Sequence, residues 1–185
     1  MKMLCPVCKN AVLEDKELEL GLKGHTCEQC SGNWVRFHDY MRWKEESGKT
    51  GDGSVQNSGC GPEYDNRKAN FCPDCGRILI KYKVSGAMPF YVDHCAYCNG
   101  LWLDKCEWEA IVAHNLQYRV NDFFTSAWQK KIRLEMTVQR FEESYRKKFG
   151  GDNYERLKEI REWIHKSAQK GEMLAYLIDD DPYRI

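Results

Sequence analysis

Eight of the ten cysteines fall into four C-x-x-C pairs: Cys5/Cys8, Cys27/Cys30, Cys72/Cys75 and Cys95/Cys98. The pairs form two blocks of one design. Each block opens with Cys-Pro-x-Cys, at Cys5 to Cys8 and Cys72 to Cys75, and closes with C-x-x-C-x-G-x-W, at Cys27 to Trp34 and Cys95 to Trp102. Eighteen residues separate Cys8 from Cys27 and nineteen separate Cys75 from Cys95. The same order at nearly the same spacing marks a tandem repeat. A C-x-x-C turn brings two sulfurs toward one ion, and two such turns supply a tetrahedral site with metal–sulfur distances of about 2.3 Å. A unit of roughly 35 to 45 residues has too little core to fold on burial alone. Metal binding that contributes on the order of 10 kcal/mol supplies the difference.

Short apolar runs between the pairs are the strand candidates of each ribbon: Val12-Leu13 and Leu18 to Leu20, then Ile78 to Ile80 and Phe90 to Val92. Residues 47–61 hold five glycines and three serines, a composition that reads as a flexible linker. From Asp104 to Phe149 there is no Gly or Pro and the apolar period becomes helical. Asp104 with Glu107 makes a capping box, and Leu134, Val138, Phe141, Tyr145 and Phe149 make a stripe. Gly150-Gly151 should stop this helix, Asp152 with Glu155 should start another ending near Gly171, and a short apolar segment from Met173 to Ile178 follows. The expected organisation is ribbon 1 over 1–46, linker over 47–70, ribbon 2 over 71–106, and a helical region over 107–185 with a docked C-terminal tail. The fold class is small α+β: two four-cysteine zinc-ribbon β-hairpins followed by a helical hairpin region.

Zinc, two ions with one per ribbon, is the expected cofactor, with Cys5, Cys8, Cys27, Cys30, Cys72, Cys75, Cys95 and Cys98 as ligands. Iron in the same four-thiolate geometry is the alternative ion. Thiol–disulfide chemistry needs an exposed pair on a βαβ scaffold, which four pairs at ribbon spacing do not suggest. Cys60 lies in the linker and reads as a solvated bystander; Cys106 reads as a buried residue in the first turn of a helix. His25 and His94 read as strand residues beside filled tetrahedra. Pro6 and Pro73 stiffen the first turns, and Gly76 suits a left-handed residue after Cys75, where the first repeat has Lys9. Gly32 and Gly100 are expected to permit a tight turn at the second knuckle, and Trp34 and Trp102 to cover their own metal sites.

The second repeat, Cys72-Pro73-Asp74-Cys75-Gly76 followed by Cys95 to Asp104 and Glu107, resembles the transcription-factor zinc-finger family. These are small bacterial ribbon domains similar to the ribbon of general transcription factor B. The family pattern is CPxCG, a hairpin, then CxxCxGxWLD and an acidic residue opening a helix. The first repeat shares the cysteines, Gly32 and Trp34, and departs at Lys9 and at Val35-Arg36. The resemblance implies zinc on the same eight cysteines.

The chain of 185 residues carries 28 Lys+Arg against 28 Asp+Glu, which argues against coating nucleic acid through bulk charge. No apolar run approaches the roughly 20 residues of a membrane span, and the start lacks the apolar run of a signal peptide. With reduced cysteines, this places the chain in a cytoplasm. No nucleophile–base motif, HExxH, Rossmann glycine pattern or three-ligand metal site is present, so no catalysis is expected. The expected function is a zinc-binding module acting as a protein-binding or regulatory adaptor, with a protein partner or self-association through the helical region. The alternatives are a transcription-related nucleic-acid-binding protein using Lys130, Lys131, Arg133, Arg140, Arg146, Lys147 and Lys148, and a thiol-redox sensor.

Overall fold

The computed structural model describes residues 2–47, 68–86, 88 and 90–184; most of the expected linker, Cys60 included, lies outside them. The chain divides into two compact units, Met1–Leu134 and Glu135–Ile185.

The first unit holds six strands: β1 Glu14–Glu19, β2 Leu22–Thr26, β3 Asn33–Val35, β4 Ile80–Lys83, β5 Tyr91–His94 and β6 Leu101–Leu103. They make one antiparallel sheet in the order β1-β2-β3-β6-β5-β4, so the two ribbons join through their third strands. At that seam Asn33 faces Leu103, Trp34 faces Trp102 and Val35 faces Leu101. β1, with the sequence EDKELE, meets the expected run Leu18 to Leu20 only at Leu18 and Glu19, because its first four residues carry no apolar signal. It is an edge strand, where charged side chains discourage pairing with another chain.

Alternation of side chains along the seam strands separates two cores. Val35, Leu101 and Leu103 point into one, with Leu22, Tyr40, Trp43, Phe90, Val92, Trp108, Ile111, Val120 and Phe123. Trp34 and Trp102 point into the other, with Ala11, Leu13, Leu79 and one buried cysteine from each pair: Cys5, Cys27, Cys72 and Cys95. Helix α1 (Phe37–Ser47) covers the first core through Tyr40 and Trp43, despite the departure from the family pattern at Arg36.

The long helix expected from Asp104 is broken. It appears as α2 (Glu107–Ala113), a 3₁₀ turn (Gln117–Arg119), α3 (Val120–Phe123) and α4 (Ser126–Phe149). Asn115, with φ of 55°, ends the first segment. Tertiary packing dictates the interruption: Tyr40 Oη donates to the Gln117 carbonyl at 2.8 Å, Tyr118 stacks on Trp43, and Val120 and Phe123 enter the core. Half of the capping box forms. Glu107 Oε2 accepts from the Asp104 N–H at 2.8 Å, while the Asp104 carboxylate accepts from the Trp102 indole instead of capping the helix.

The second unit comprises the rest of α4, then α5 (Gly151–Lys166) and α6 (Lys170–Ile178). The expected box at Asp152 does not form, because α5 begins at Gly151 with Gly150 as its cap and no side chain bonded there. Gly171 lies within α6 instead of ending a helix, and α6 buries none of its side chains. The stripe Val138, Phe141, Tyr145 and Phe149 on α4 remains 44–58% exposed. No helix among the described residues is long and apolar enough to cross a membrane.

Candidate metal centres

Each ribbon brings its four sulfurs together: Cys5, Cys8, Cys27 and Cys30 in one group, Cys72, Cys75, Cys95 and Cys98 in the other, all within 4.8 Å of one another. Four of these separations test the fit to an ion. In ribbon 1, Cys5–Cys30 is 3.6 Å and Cys27–Cys8 is 3.8 Å; in ribbon 2, Cys72–Cys98 and Cys75–Cys95 are both 3.5 Å. Sulfurs at about 2.3 Å from a central zinc form a tetrahedron with edges of about 3.8 Å. A disulfide would hold two sulfurs about 2.05 Å apart. The clusters therefore have the size of a zinc–thiolate tetrahedron, and all eight sulfurs are free of disulfides.

Backbone geometry explains why the sulfurs converge. The residue after the second cysteine of every pair is left-handed: Lys9 at φ 63°, Ser31 at 58°, Gly76 at 70° and Asn99 at 56°. In each case its N–H returns to the carbonyl of the first cysteine at 2.8 Å. This turn aims the next backbone N–H groups at the first sulfur, as with the Cys8 N–H donating to Cys5 Sγ at 3.3 Å. Burial pushes the Cys5 thiol up to about 11 and raises Cys30, Cys72 and Cys98. Burial acts the same way on Cys27 and Cys95, but N–H groups from Gln29 and Cys30, and from Tyr97 and Cys98, outweigh it. Cys95 falls to about 7 and Cys27 is also lowered. The N–H groups thus favour the thiolate form at Cys27 and Cys95, and metal binding by the raised thiols is accompanied by release of their protons.

Gly32 and Gly100 serve a purpose other than the tight turn expected of them, since the left-handed residues are Ser31 and Asn99. A Cβ on Gly32 would lie 2.2 Å from Cζ2 of Trp102, and one on Gly100 would lie 2.2 Å from Cζ2 of Trp34. Each tryptophan packs on the second knuckle of the other ribbon, so the covering of the two sites is exchanged across the seam. The Trp34 indole donates to Asp74 Oδ2 at 2.9 Å, between the ligands Cys72 and Cys75. Arg36 holds the same carboxylate, with Nη2 at 2.9 Å from Oδ1 and Nε at 3.1 Å from Oδ2. Aligning the repeats sets Val7 opposite Asp74 and Arg36 opposite Asp104, and these differences between the repeats are the available signal for an inter-ribbon ion pair.

The remaining candidates stand apart from the sulfur clusters. His25 Nδ1 pairs with Asp15 Oδ1 at 2.6 Å. His94 stacks on Phe124 with ring centroids 3.9 Å apart, and burial pushes its pKa down to about 4. Cys106 is buried as expected, but it caps α2 with φ of 66° and is disulfide-bonded.

Residues 71–114 match the family described as transcription factor zinc-finger, which spans ribbon 2 and α2. No curated protein and no solved structure matches the chain.

Proposed function

We propose that the protein is a non-catalytic zinc module in which two ions hold the double ribbon and the second unit docks on a protein partner. The observation that carries the metal assignment is the convergence of four sulfurs in each cluster within 4.8 Å of one another, with two separations in each at 3.5–3.8 Å, near the edge length of a zinc–thiolate tetrahedron. The docking surface is the groove between α4 and α5, about 640 Å³, lined by Val138, Phe141, Tyr145, Phe149 and Leu157. Apolar side chains left open along a groove of this kind suit an amphipathic segment of another protein. Nucleic acid is disfavoured by charge. Each zinc with four thiolates carries about −2, so the loaded chain is about four charges more negative than its composition. Arg146, one of the basic residues available for phosphate, is paired with Glu155.

Elemental analysis of the purified chain should give two zinc ions, and the solution should be colourless where an iron–thiolate site would absorb in the visible. Affinity purification of the parent beside Phe141→Glu then tests the surface. The expected result is a co-purifying protein lost from the variant, whose zinc content stays at two. Equal retention by both proteins, or recovery of nucleic acid with salt-sensitive affinity, refutes the docking assignment.

A further inference from the structure

We infer that the two metal centres load as one cooperative unit, each ion strengthening the site in the other ribbon. The inference rests on the zinc assignment above and concerns how the chain's own residues connect the sites. The glycine that receives each tryptophan ring also closes the opposite knuckle. Cys27 N–H donates to the Gly32 carbonyl at 2.9 Å, and Cys95 N–H donates to the Gly100 carbonyl at 2.9 Å. The ring of Trp102 lies on Gly32 and that of Trp34 lies on Gly100, with no space for even a methyl group between them. Both rings are fully buried.

A ribbon without its ion does not hold its knuckle in the closed form, because such small units depend on the metal for their fold. The tryptophan of the other ribbon then loses the surface it packs on, and the seam pair Trp34–Trp102 loses its register. Arg36 and Trp34, both of ribbon 1, also lose Asp74, which is positioned by the Cys72–Cys75 turn. Ordering of one knuckle is therefore worth free energy at the other. The coupling is reciprocal, as linkage requires. Cys5, Cys27, Cys72 and Cys95 share one core with the two rings, so the two centres belong to one packed group.

The test uses the full chain, stripped of metal under reducing conditions and equilibrated in zinc buffers, with each loading state counted by native mass spectrometry. Two equal, independent sites put about half of the molecules in the one-ion state at half-loading. A coupling of about tenfold lowers that share to about a quarter. In parallel, Cys75→Ser with Cys98→Ser removes the ribbon 2 site, and competition with a chromogenic chelator measures zinc affinity at the untouched ligands of ribbon 1. The expected loss there is about tenfold. A one-ion share clearly below half supports the coupling, as does weakened ribbon 1 affinity in the variant. A one-ion share of half or more together with unchanged ribbon 1 affinity overturns it. A chain that takes up no zinc removes the metal assignment and the coupling together, whereas two ions taken up independently remove the coupling alone.

Discussion

Lys9 and Gly76 occupy the same position in the two first knuckles, and both are left-handed, with φ of 63° and 70°. Glycine adopts this conformation freely, whereas a residue with a Cβ is disfavoured there by about 1 kcal/mol. Space around Gly76 is open, so backbone preference alone decides what a substitution does. Lys9→Gly should stabilise the zinc-loaded chain by up to about 1 kcal/mol and Gly76→Ala should destabilise it by a similar amount. Chemical denaturation of the two variants reads both effects, and equal signs would contradict the argument. Glu107 supplies a second case. Burial foremost, then the nearby Asp104 charge, pushes its carboxyl up from 4.5 to about 9. Between those values the folded chain holds a proton that the unfolded chain has lost, so this group's contribution to stability declines as pH rises from about 5 toward 9. Glu107→Gln keeps an oxygen for the Asp104 N–H and removes the titration. Its unfolding midpoint should gain on that of the parent as pH rises across this window. Because both proteins carry the same thiol ligands, the difference isolates Glu107, and a pH-independent gap would refute it.

At the level of elements, the sequence reveals the features whose cause is local. The knuckles are legible because ligand spacing is set by a single turn, and α5 because helical periodicity spans enough residues to register, whereas α1 falls inside a stretch the sequence reads only as ribbon 1. β1 is legible only at its end, because charge hides its first four residues, and β3 and β6 are obscured by their three-residue length. The break at Asn115 was invisible because its cause, the packing of Tyr40 and Trp43 against Gln117 and Tyr118, lies some 75 residues away in the chain. Gly32 and Gly100 show the same limit most sharply. Their spacing from the cysteines suggests a turn, but the requirement comes from a ring in the other repeat. Gly32→Ala should therefore cost about 2 kcal/mol, the scale of forcing a methyl group into a packed core. Gly151→Ala, at the start of α5 with nothing within 4 Å, should be neutral or stabilise by up to about 1 kcal/mol. Thermal unfolding of the zinc-loaded variants distinguishes the two. Similar destabilisation by both would mean that the ring contact is not what Gly32 serves.

For the whole molecule, the decisive quantity is how much of the first unit's order depends on the ions. A domain is stable by about 5–15 kcal/mol in total, and each four-thiolate zinc contributes on the order of 10 kcal/mol of apparent folding free energy at neutral pH. With zinc at both sites, removing the two ions would therefore take away more than the whole net stability of such a domain. The second core is also built on the ligands themselves, so loss of the ions loosens the packing around Trp34 and Trp102 directly. The tryptophans provide the readout. Trp34, Trp43, Trp102 and Trp108 are at most 4% exposed, whereas Trp163 is 64% exposed. Chelation under reducing conditions should shift the emission of these four toward that of solvated indole, with zinc restoring the original spectrum. Trp163, in the second unit, contributes a solvated signal before and after and so does not mask the change. An emission spectrum that stays unshifted after elemental analysis shows both ions removed would mean that the cores hold the sheet alone. The cysteine clusters would then be occupants of the fold and not its supports.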